Sequence, residues 1–338
     1  MIQTVIHLVD DTSPGGVTRV LDHIAKSTAL GHRHRHEIRT LRRGRLGAPK
    51  LGADLIVSHL SVSWANLPML TALRALNPAA RIIHVEHSYT EAFVASHVVA
   101  RGRFQVLMRV AYALFDQVVA VSRPQADWIA RAGFAPEEHV VVINPMVDLG
   151  PFLALEPRLE AAPRVFGLIG RLDVQKGFDI AIRAFREAAP GDATLLVAGE
   201  GPERAALEAL AAGDQRIRFM GWAERPEVAM AACDAVLMPS RWEAFGLVAL
   251  EAQAAGRLVA VAQTDGMAEH VRRGAFGVGQ NAIAGWADAI RILCRSAHAE
   301  RILAARFRAR ATQAKFEHDW LGMLEGATDA TRRIAAAA

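Results

Sequence analysis

The sequence predicts two α/β domains in tandem, each a parallel sheet doubly wound by helices. Three observations predict this. Short Val/Leu/Ile runs alternate with Ala-rich helical segments in both halves of the 338-residue chain, the pattern of βαβ units rather than of hairpins. The alternation stops once, at residues 145–163, where Pro145, Pro151, Pro157 and Pro163 fall with little periodicity; this stretch reads as a linker. With 52% hydrophobic and 22% charged residues, the chain has material for two ordinary cores.

The first half begins with a buried strand at residues 2–9. A turn at Thr12-Ser13-Pro14-Gly15-Gly16-Val17 leads to a helix from Thr18 to Leu30, set by the Leu21/Ile24/Ala25 spacing. Leu55–Ser58 and Arg81–Val85 are strands, with a helix around Pro68 to Leu76 between them. Residues 97–115 read as one helix with Arg101, Arg103 and Arg109 among apolar residues. Gln117–Ser122 is a strand, Pro124 suits the first turn of the next helix, and Val140–Ile143 closes the half. The second half repeats the order. Strands are expected at Val165–Ile169, Thr194–Ala198, Arg216–Met220, Ala235–Met238 and Leu258–Ala262. Helices are expected at Gly177–Ala188, Arg204–Ala212, after Gly246, and from Ala284 onward. Ligands of such sheets bind beyond the carboxyl ends of the strands.

Composition narrows the function. The opening residues lack a basic segment and a long apolar run, so they read as a strand and not as a signal peptide. No uncharged apolar run approaches the roughly 20 residues of a membrane-spanning helix. Cys233 and Cys294 stand far apart without CxxC or Cys/His spacing, which suggests reduced thiols in a cytoplasmic protein. The net charge of +4 lies in residues 1–150, with 16 Lys/Arg against 12 Asp/Glu; residues 151–338 carry 23 of each. Much of the surplus is the cluster Arg33, Arg35, Arg39, Arg42, Arg43, Arg45 and Lys50. Aromatic residues do not interleave with it, which argues against nucleic acid and leaves an anionic membrane surface or acceptor. The run His32-Arg33-His34-Arg35-His36 lacks metal-ligand spacing and is read as a polar surface loop.

Two glycine turns can hold phosphate. Gly15-Gly16 lies between the first strand and first helix, without a full G-x-G-x-x-G. Gly170-Arg171-Leu172-Asp173-Val174-Gln175-Lys176-Gly177 follows a strand and carries two cations just before a helix, suited to a diphosphate. The chain has only four lysines (Lys26, Lys50, Lys176, Lys315), so Lys176 departs from an arginine habit, as a compact point charge would require. The richest segment is Pro239-Ser240-Arg241-Trp242-Glu243-Ala244-Phe245-Gly246-Leu247-Val248-Ala249-Leu250-Glu251. Strand, turn and helix in that order present free backbone N–H groups and a positive dipole to an anion. Glu243 falls at or before the helix start and Glu251 two turns in, able to reach groups on either side of a phosphate. There is no D-x-D metal motif and no P-loop; a diphosphate leaving group would depend on Arg171, Lys176 and the helix N-terminus.

Gly170-Arg171-Leu172…Lys176-Gly177, Gly199-Glu200-Gly201-Pro202, Pro239-Ser240…Glu243-Ala244-Phe245-Gly246…Glu251-Ala252 and Gly256 resemble the C-terminal half of the GT-B glycosyltransferases of family 4. Gly15-Gly16-Val17, Glu86-His87-Ser88, Val119-Ala120-Val121-Ser122 and Asn144-Pro145 fall where that family's N-terminal half places its own motifs. The resemblance implies two Rossmann-like doubly wound domains facing a central cleft: 1–150 on the acceptor side, 164–315 for the nucleotide sugar, and a last helix at 316–338 crossing back. It implies a retaining transferase that moves a sugar from a nucleotide diphosphate sugar, a UDP- or GDP-sugar, to an acceptor hydroxyl without a metal or other cofactor.

Under that resemblance Arg171 and Lys176 bind the diphosphate with Gly15, Gly16 and Gly170. Glu243 meets the sugar hydroxyls, the amides of Ala244, Phe245, Gly246 and Leu247 meet the phosphates, and Glu251 holds the ribose. Gly199 and Gly201 belong to the same donor site, and His87 lies near the sugar and the attacking acceptor. Leu258 stands where the family often has proline, and Asp265-Gly266 replaces a Gly-Gly, which alters the donor-sugar pocket. A glycan or lipid-linked acceptor, peripheral attachment to the inner membrane face and a role in cell-envelope or exopolysaccharide synthesis are the expected setting. Two rivals are an epimerase or hydrolase on the same fold, needing Glu86 and Glu91 as its carboxylate pair, and a non-catalytic nucleotide-sugar-binding subunit.

Overall fold

The computed structural model describes residues 3–13 and 15–337, with side chains through residue 326. The strands are β1 (Gln3–Val9), β2 (His34–Thr40), β3 (Leu55–Ser58), β4 (Arg81–Glu86), β5 (Gln117–Ala120), β6 (Val140–Val142), β7 (Val165–Ile169), β8 (Thr194–Ala198), β9 (Ile217–Gly221), β10 (Ala235–Met238), β11 (Leu258–Ala262) and β12 (Phe276–Val278). The helices are α1 (Gly16–Lys26), α2 (Thr28–Gly31), α3 (Leu67–Leu76), α4 (Glu91–His97), α5 (Arg101–Tyr112), α6 (Arg123–Arg131), α7 (Gly150–Leu153), α8 (Phe178–Ala188), α9 (Arg204–Ala211), α10 (Pro226–Ala231), α11 (Leu247–Ala254), α12 (Ala268–Arg272), α13 (Ile283–Leu293) and α14 (Ala299–Ala337). The chain forms two compact units, Met1–Val147 with Gln313–Ala338, and Asp148–Thr312.

The first unit holds a six-stranded sheet in the order β2-β1-β3-β4-β5-β6, and all its pairings are parallel. Period-two alternation sorts each strand between two faces. Ile6, Leu8, Ile56, Ile82, Val118 and Ala120 pack with Met69, Leu73, Leu107, Met108 and Ile129 of α3, α5 and α6. Buried Val5, Val57 and Val119 alternate with these and so face the opposite side.

The second unit holds a parallel sheet in the order β12-β11-β10-β7-β8-β9. Phe166, Leu168, Leu195, Val197, Leu237 and Ala260 meet Phe178, Ile182 and Phe185 of α8, and Trp286 and Ile290 of α13, in one closed core. Continuous apolar strands such as Leu258–Ala262, buried throughout, are what a parallel sheet covered on both faces requires. Cys233 is buried against Gly167, and burial pushes its thiol up to about 12, leaving it unreactive.

Several elements differ from the sequence reading. The His/Arg run is no loop but the start of edge strand β2: His34 is buried and His36 half-buried, while Arg33 and Arg35 face solvent. Alternation of two polar types conceals a period-two strand whose inner residues are imidazoles. The helix expected at 18–30 is two, divided at Ser27, whose hydroxyl accepts from the Leu30 amide and caps α2. The helix expected at 97–115 is α5, which begins only at Arg101; a separate helix, α4, ends at His97, where Val98 turns extended. Most of the apolar residues of α5, Phe104, Leu107, Met108, Ala111 and Tyr112, point inward. Residues 148–163, read as linker, belong to the second unit and include α7, and Arg257 donates to the Glu156 carbonyl at 2.7 Å.

Candidate active site

In the second sheet the chain runs outward from β7 to β9 on one side and from β10 to β12 on the other. The loops after β7 and β10 therefore leave adjacent strands in opposite directions and open a crevice at their carboxyl ends. Those loops are residues 170–177 and 239–246, the two segments singled out from sequence.

They are bolted together by main-chain contacts. The Arg241 amide donates to the Gln175 carbonyl at 2.8 Å, and the Gln175 side-chain amide donates to the Trp242 carbonyl at 3.1 Å. Arg241 also binds Asp179 at the start of α8 through two 2.8 Å hydrogen bonds. Burial would raise the Asp179 carboxyl, but the Arg241 hydrogen bonds and charge hold it below the usual carboxylate range. Asn281 donates to the carbonyls of Pro239 and Ser240, and Trp286 donates to Asn281 at 2.7 Å.

Within this frame Lys176 and Glu243 meet, Nζ to Oε2, at 2.5 Å, with side chains only 18% and 13% exposed. Arg171 is exposed on the same loop, its guanidinium 3.7 Å from Asp173. Gly170 precedes it, with the Lys176 chain alongside. Helix α11 starts only at Leu247, so it does not span the gap between the two glutamates: Glu243 lies in the loop, and Glu251 lies within α11 with no exposed surface. The turn between them passes through Gly246 at φ 92°, where a Cβ would come within 2.4 Å of the Met267 sulfur. Ala244 and Phe245 are buried beside it.

Gly199 and Gly201 pack backbone to backbone against the Arg171 loop. A Cβ on Gly199 would lie 1.8 Å from the Gly170 carbonyl oxygen, and one on Gly201 would lie 2.2 Å from that of Leu172. The Leu172 amide donates to the Glu200 carbonyl at 2.9 Å. These glycines let two backbones touch and so set the level of the Arg171 loop.

Three neighbours went unnoticed in the sequence. His270 donates from Nε2 to the Phe245 carbonyl at 2.9 Å; burial, aided by Arg273, lowers it to about 3, so the imidazole is neutral. Met267 underlies Gly246, and Asn281 ties down the loop after β10. None carries a motif signal of its own, because each is defined by the backbone atom it meets. Asp265, noted from sequence, takes a left-handed φ of 44° and accepts from the Glu243 amide at 3.3 Å. Asp tolerates that conformation better than most residues do.

In the first unit Gly15 and Gly16 are exposed at the N-terminus of α1, just beyond β1. The Gly15 amide donates to Thr18 Oγ1 at 3.1 Å. His87 directly follows β4, half-buried, with Nε2 2.8 Å from His59 Nδ1. Glu86 is fully engaged: the amides of Ser88 and Tyr89 donate to Oε1 at 2.7 and 2.9 Å, and the Tyr112 hydroxyl donates to Oε2 at 2.8 Å. Burial opposes ionisation of Glu86, but His84 and these amides outweigh it and hold the carboxyl below the ordinary range. Glu91 is exposed and paired with Arg131 at 2.7 Å. The two carboxylates required by an epimerase or hydrolase therefore form no pair. Among the described residues no His/Cys/Asp/Glu cluster is arranged to hold a metal ion.

The profile described as Glycosyltransferase Family 4 matches residues 4–150, and that described as Glycosyl transferases group 1 matches residues 163–296. The chain belongs to glycosyltransferase family 4. Family relatives agree with that placement. The D-inositol 3-phosphate glycosyltransferase of Nocardia farcinica is 30% identical over 301 residues, covering 80% of this chain and 65% of the relative. The glycogen synthase of Mycobacterium tuberculosis is 33% identical over 218 residues, covering 61% of this chain and 51% of the relative. The chain thus spans about half the length of the first curated relatives it matches. Among solved structures, Anabaena Alr3699/HepE in complex with UDP-glucose superposes with a TM-score of 0.73 at 20% identity, covering 96% of this chain and 100% of that one. Sucrose-phosphate synthase from Thermosynechococcus elongatus gives 0.75 at 20% identity, covering 99% and 100%. At that identity the likeness establishes the GT-B fold of the family.

Proposed function

We propose that this family 4 protein is a retaining glycosyltransferase that moves a sugar from a nucleotide diphosphate sugar to an acceptor hydroxyl. The observation that carries the reading is the meeting of the β7 and β10 loops at a switch point, with Lys176 and Glu243 in contact there. The donor diphosphate lies along Arg171, Lys176 and the α11 N-terminus, where positive charge is fixed before the reaction begins. Charge develops on the departing diphosphate, and preorganised cations and amides stabilise it without a metal. Donor binding draws Lys176 toward phosphate and frees Glu243 for the sugar hydroxyls. Glu251, one turn into α11, takes the ribose. His87 serves the sugar and the acceptor, and Gly15 and Gly16 the diphosphate. The acceptor attacks the face from which the leaving group departs, and a phosphate oxygen takes its proton.

The proposed acceptor is lipid-linked, in cell-envelope or exopolysaccharide assembly on the cytoplasmic side of a membrane. The outer face of α5 supports this, with Arg101, Arg103 and Arg109 exposed beside Val106 and Val110. No helix among the described residues is long and apolar enough to cross a membrane. The test is nucleotide release from UDP-, GDP- and ADP-sugars, with and without EDTA and a membrane-lipid extract. Extract-dependent, EDTA-insensitive release of one nucleotide supports the reading. Tight nucleotide-sugar binding without release under any acceptor condition refutes it in favour of a binding subunit.

A further inference from the structure

Four histidines from four separate chain segments form one hydrogen-bonded file in the first unit. His36 Nδ1 lies 3.0 Å from His7 Nε2, His7 Nδ1 lies 3.0 Å from His59 Nε2, and His59 Nδ1 lies 2.8 Å from His87 Nε2. The rings of His7 and His59, and those of His59 and His87, stack with centroids 5.3 and 5.1 Å apart. His7 and His59 are buried, and Trp320 lies against His7 with ring centroids 6.0 Å apart. The run that begins β2 thus contributes His36 as the far end of a line that terminates at His87.

A neutral imidazole has one N–H and one bare nitrogen. In a file joined Nδ1 to Nε2 throughout, each contact needs one donor and one acceptor. All four rings must then carry the proton on the same nitrogen: every ring is Nδ1–H or every ring is Nε2–H. Burial keeps the rings neutral at ordinary pH, lowering His7 to about 3 and His36 and His87 to about 4. The far end selects between the two states. His36 Nε2 is buried and meets no hydrogen-bonding partner among the described residues. A buried N–H without a partner is rarer and costlier than a bare acceptor. His36 therefore keeps its proton on Nδ1, and the file relays that choice through His7 and His59.

We propose that His36, His7 and His59 are positioning residues that hold His87 in its Nδ1–H form, so that His87 presents a hydrogen-bond donor, not a base, to an oxygen of the substrate. The role at substrate rests on the transferase reading above. It agrees with a mechanism in which a phosphate oxygen, and not His87, takes the acceptor proton.

The test is long-range proton–nitrogen NMR on the full chain labelled with nitrogen-15 histidine, at pH 7.5. Four neutral Nδ1–H rings in the wild type, with His87 shifting toward Nε2–H in His59→Ala, are expected. A wild-type His87 in the Nε2–H form, or one indifferent to His59→Ala, overturns the proposal; if His59→Ala fails to fold, His36→Gln, at the far end of the file, replaces it. Donor turnover provides the second readout. His59→Ala should lower it on the order of tenfold, and His59→Asn, which restores an N–H near the Nδ1 position, should recover most of the loss. If the tautomers behave as expected but His87→Ala turns over normally, the tautomer lock stands and the placement of His87 at substrate fails.

Discussion

Lys176→Ala tests the centre of the proposed mechanism, and the structure sets two magnitudes for it. The ammonium lies 2.5 Å from Glu243 Oε2, with both side chains mostly buried. At an effective dielectric of about 20 such a pair has a gross attraction of about 7 kcal/mol. Desolvation offsets much of this, and removing one partner strands the other, so the expected stability loss is about 1–3 kcal/mol. The catalytic loss should be larger. A preorganised donor removed from a developing oxyanion costs about 100- to 1000-fold in kcat, or about 2.7–4 kcal/mol. The assay is nucleotide release at saturating donor, beside urea unfolding of Lys176→Ala, Glu243→Ala and the double variant. The double variant should recover stability, because no stranded carboxylate remains, but not turnover. Lys176→Arg should restore the charge yet rescue poorly, since a planar guanidinium does not replace a compact ammonium at a site only 18% exposed. Turnover of Lys176→Ala within about threefold of wild type would refute the reasoning.

Three further outcomes are expected. Gly199→Ala or Gly201→Ala would drive a Cβ into a carbonyl at a left-handed backbone; each should cost about 2–4 kcal/mol in thermal or urea unfolding, and a neutral result would contradict the loop geometry. Glu251→Gln should raise the nucleotide Kd about 10- to 100-fold by calorimetry, since one charged hydrogen bond of about 1.5–3 kcal/mol is lost; unchanged affinity would remove Glu251 from the ribose. Acid should destabilise the protein: burial lowers His7 and His270 to about 3, and His36 and His87 to about 4, in the folded chain. The unfolded chain binds their protons near pH 6.5, so their contribution is fully present above that pH and is lost as pH falls toward 3–4. At pH 5 each histidine should cost about 2 kcal/mol, and His270→Gln should flatten the urea-midpoint profile between pH 7.5 and 5 by about that amount.

The sequence by itself determined the elements whose physics is local. Continuous apolar runs such as Leu258–Ala262 declare strands buried on both faces. The glycine turn 170–177, the lone lysine within it and the paired glutamates of 243–251 were legible because they stand close together in the chain as a motif. The second unit, where such motifs are dense, was accordingly easier to read than the first. Tertiary structure alone decided what depends on partners distant in sequence. It put the loops of β7 and β10 side by side, since strand order is set by crossover packing and not by spacing. It turned the His/Arg run into a strand, because only pairing with β1 could tell its inward imidazoles from its outward guanidiniums. It drew His36, His7, His59 and His87 into a single file. A hydrogen bond is recorded in the sequence only when both its partners are near neighbours there, and these four residues become neighbours only once the parallel sheet has formed.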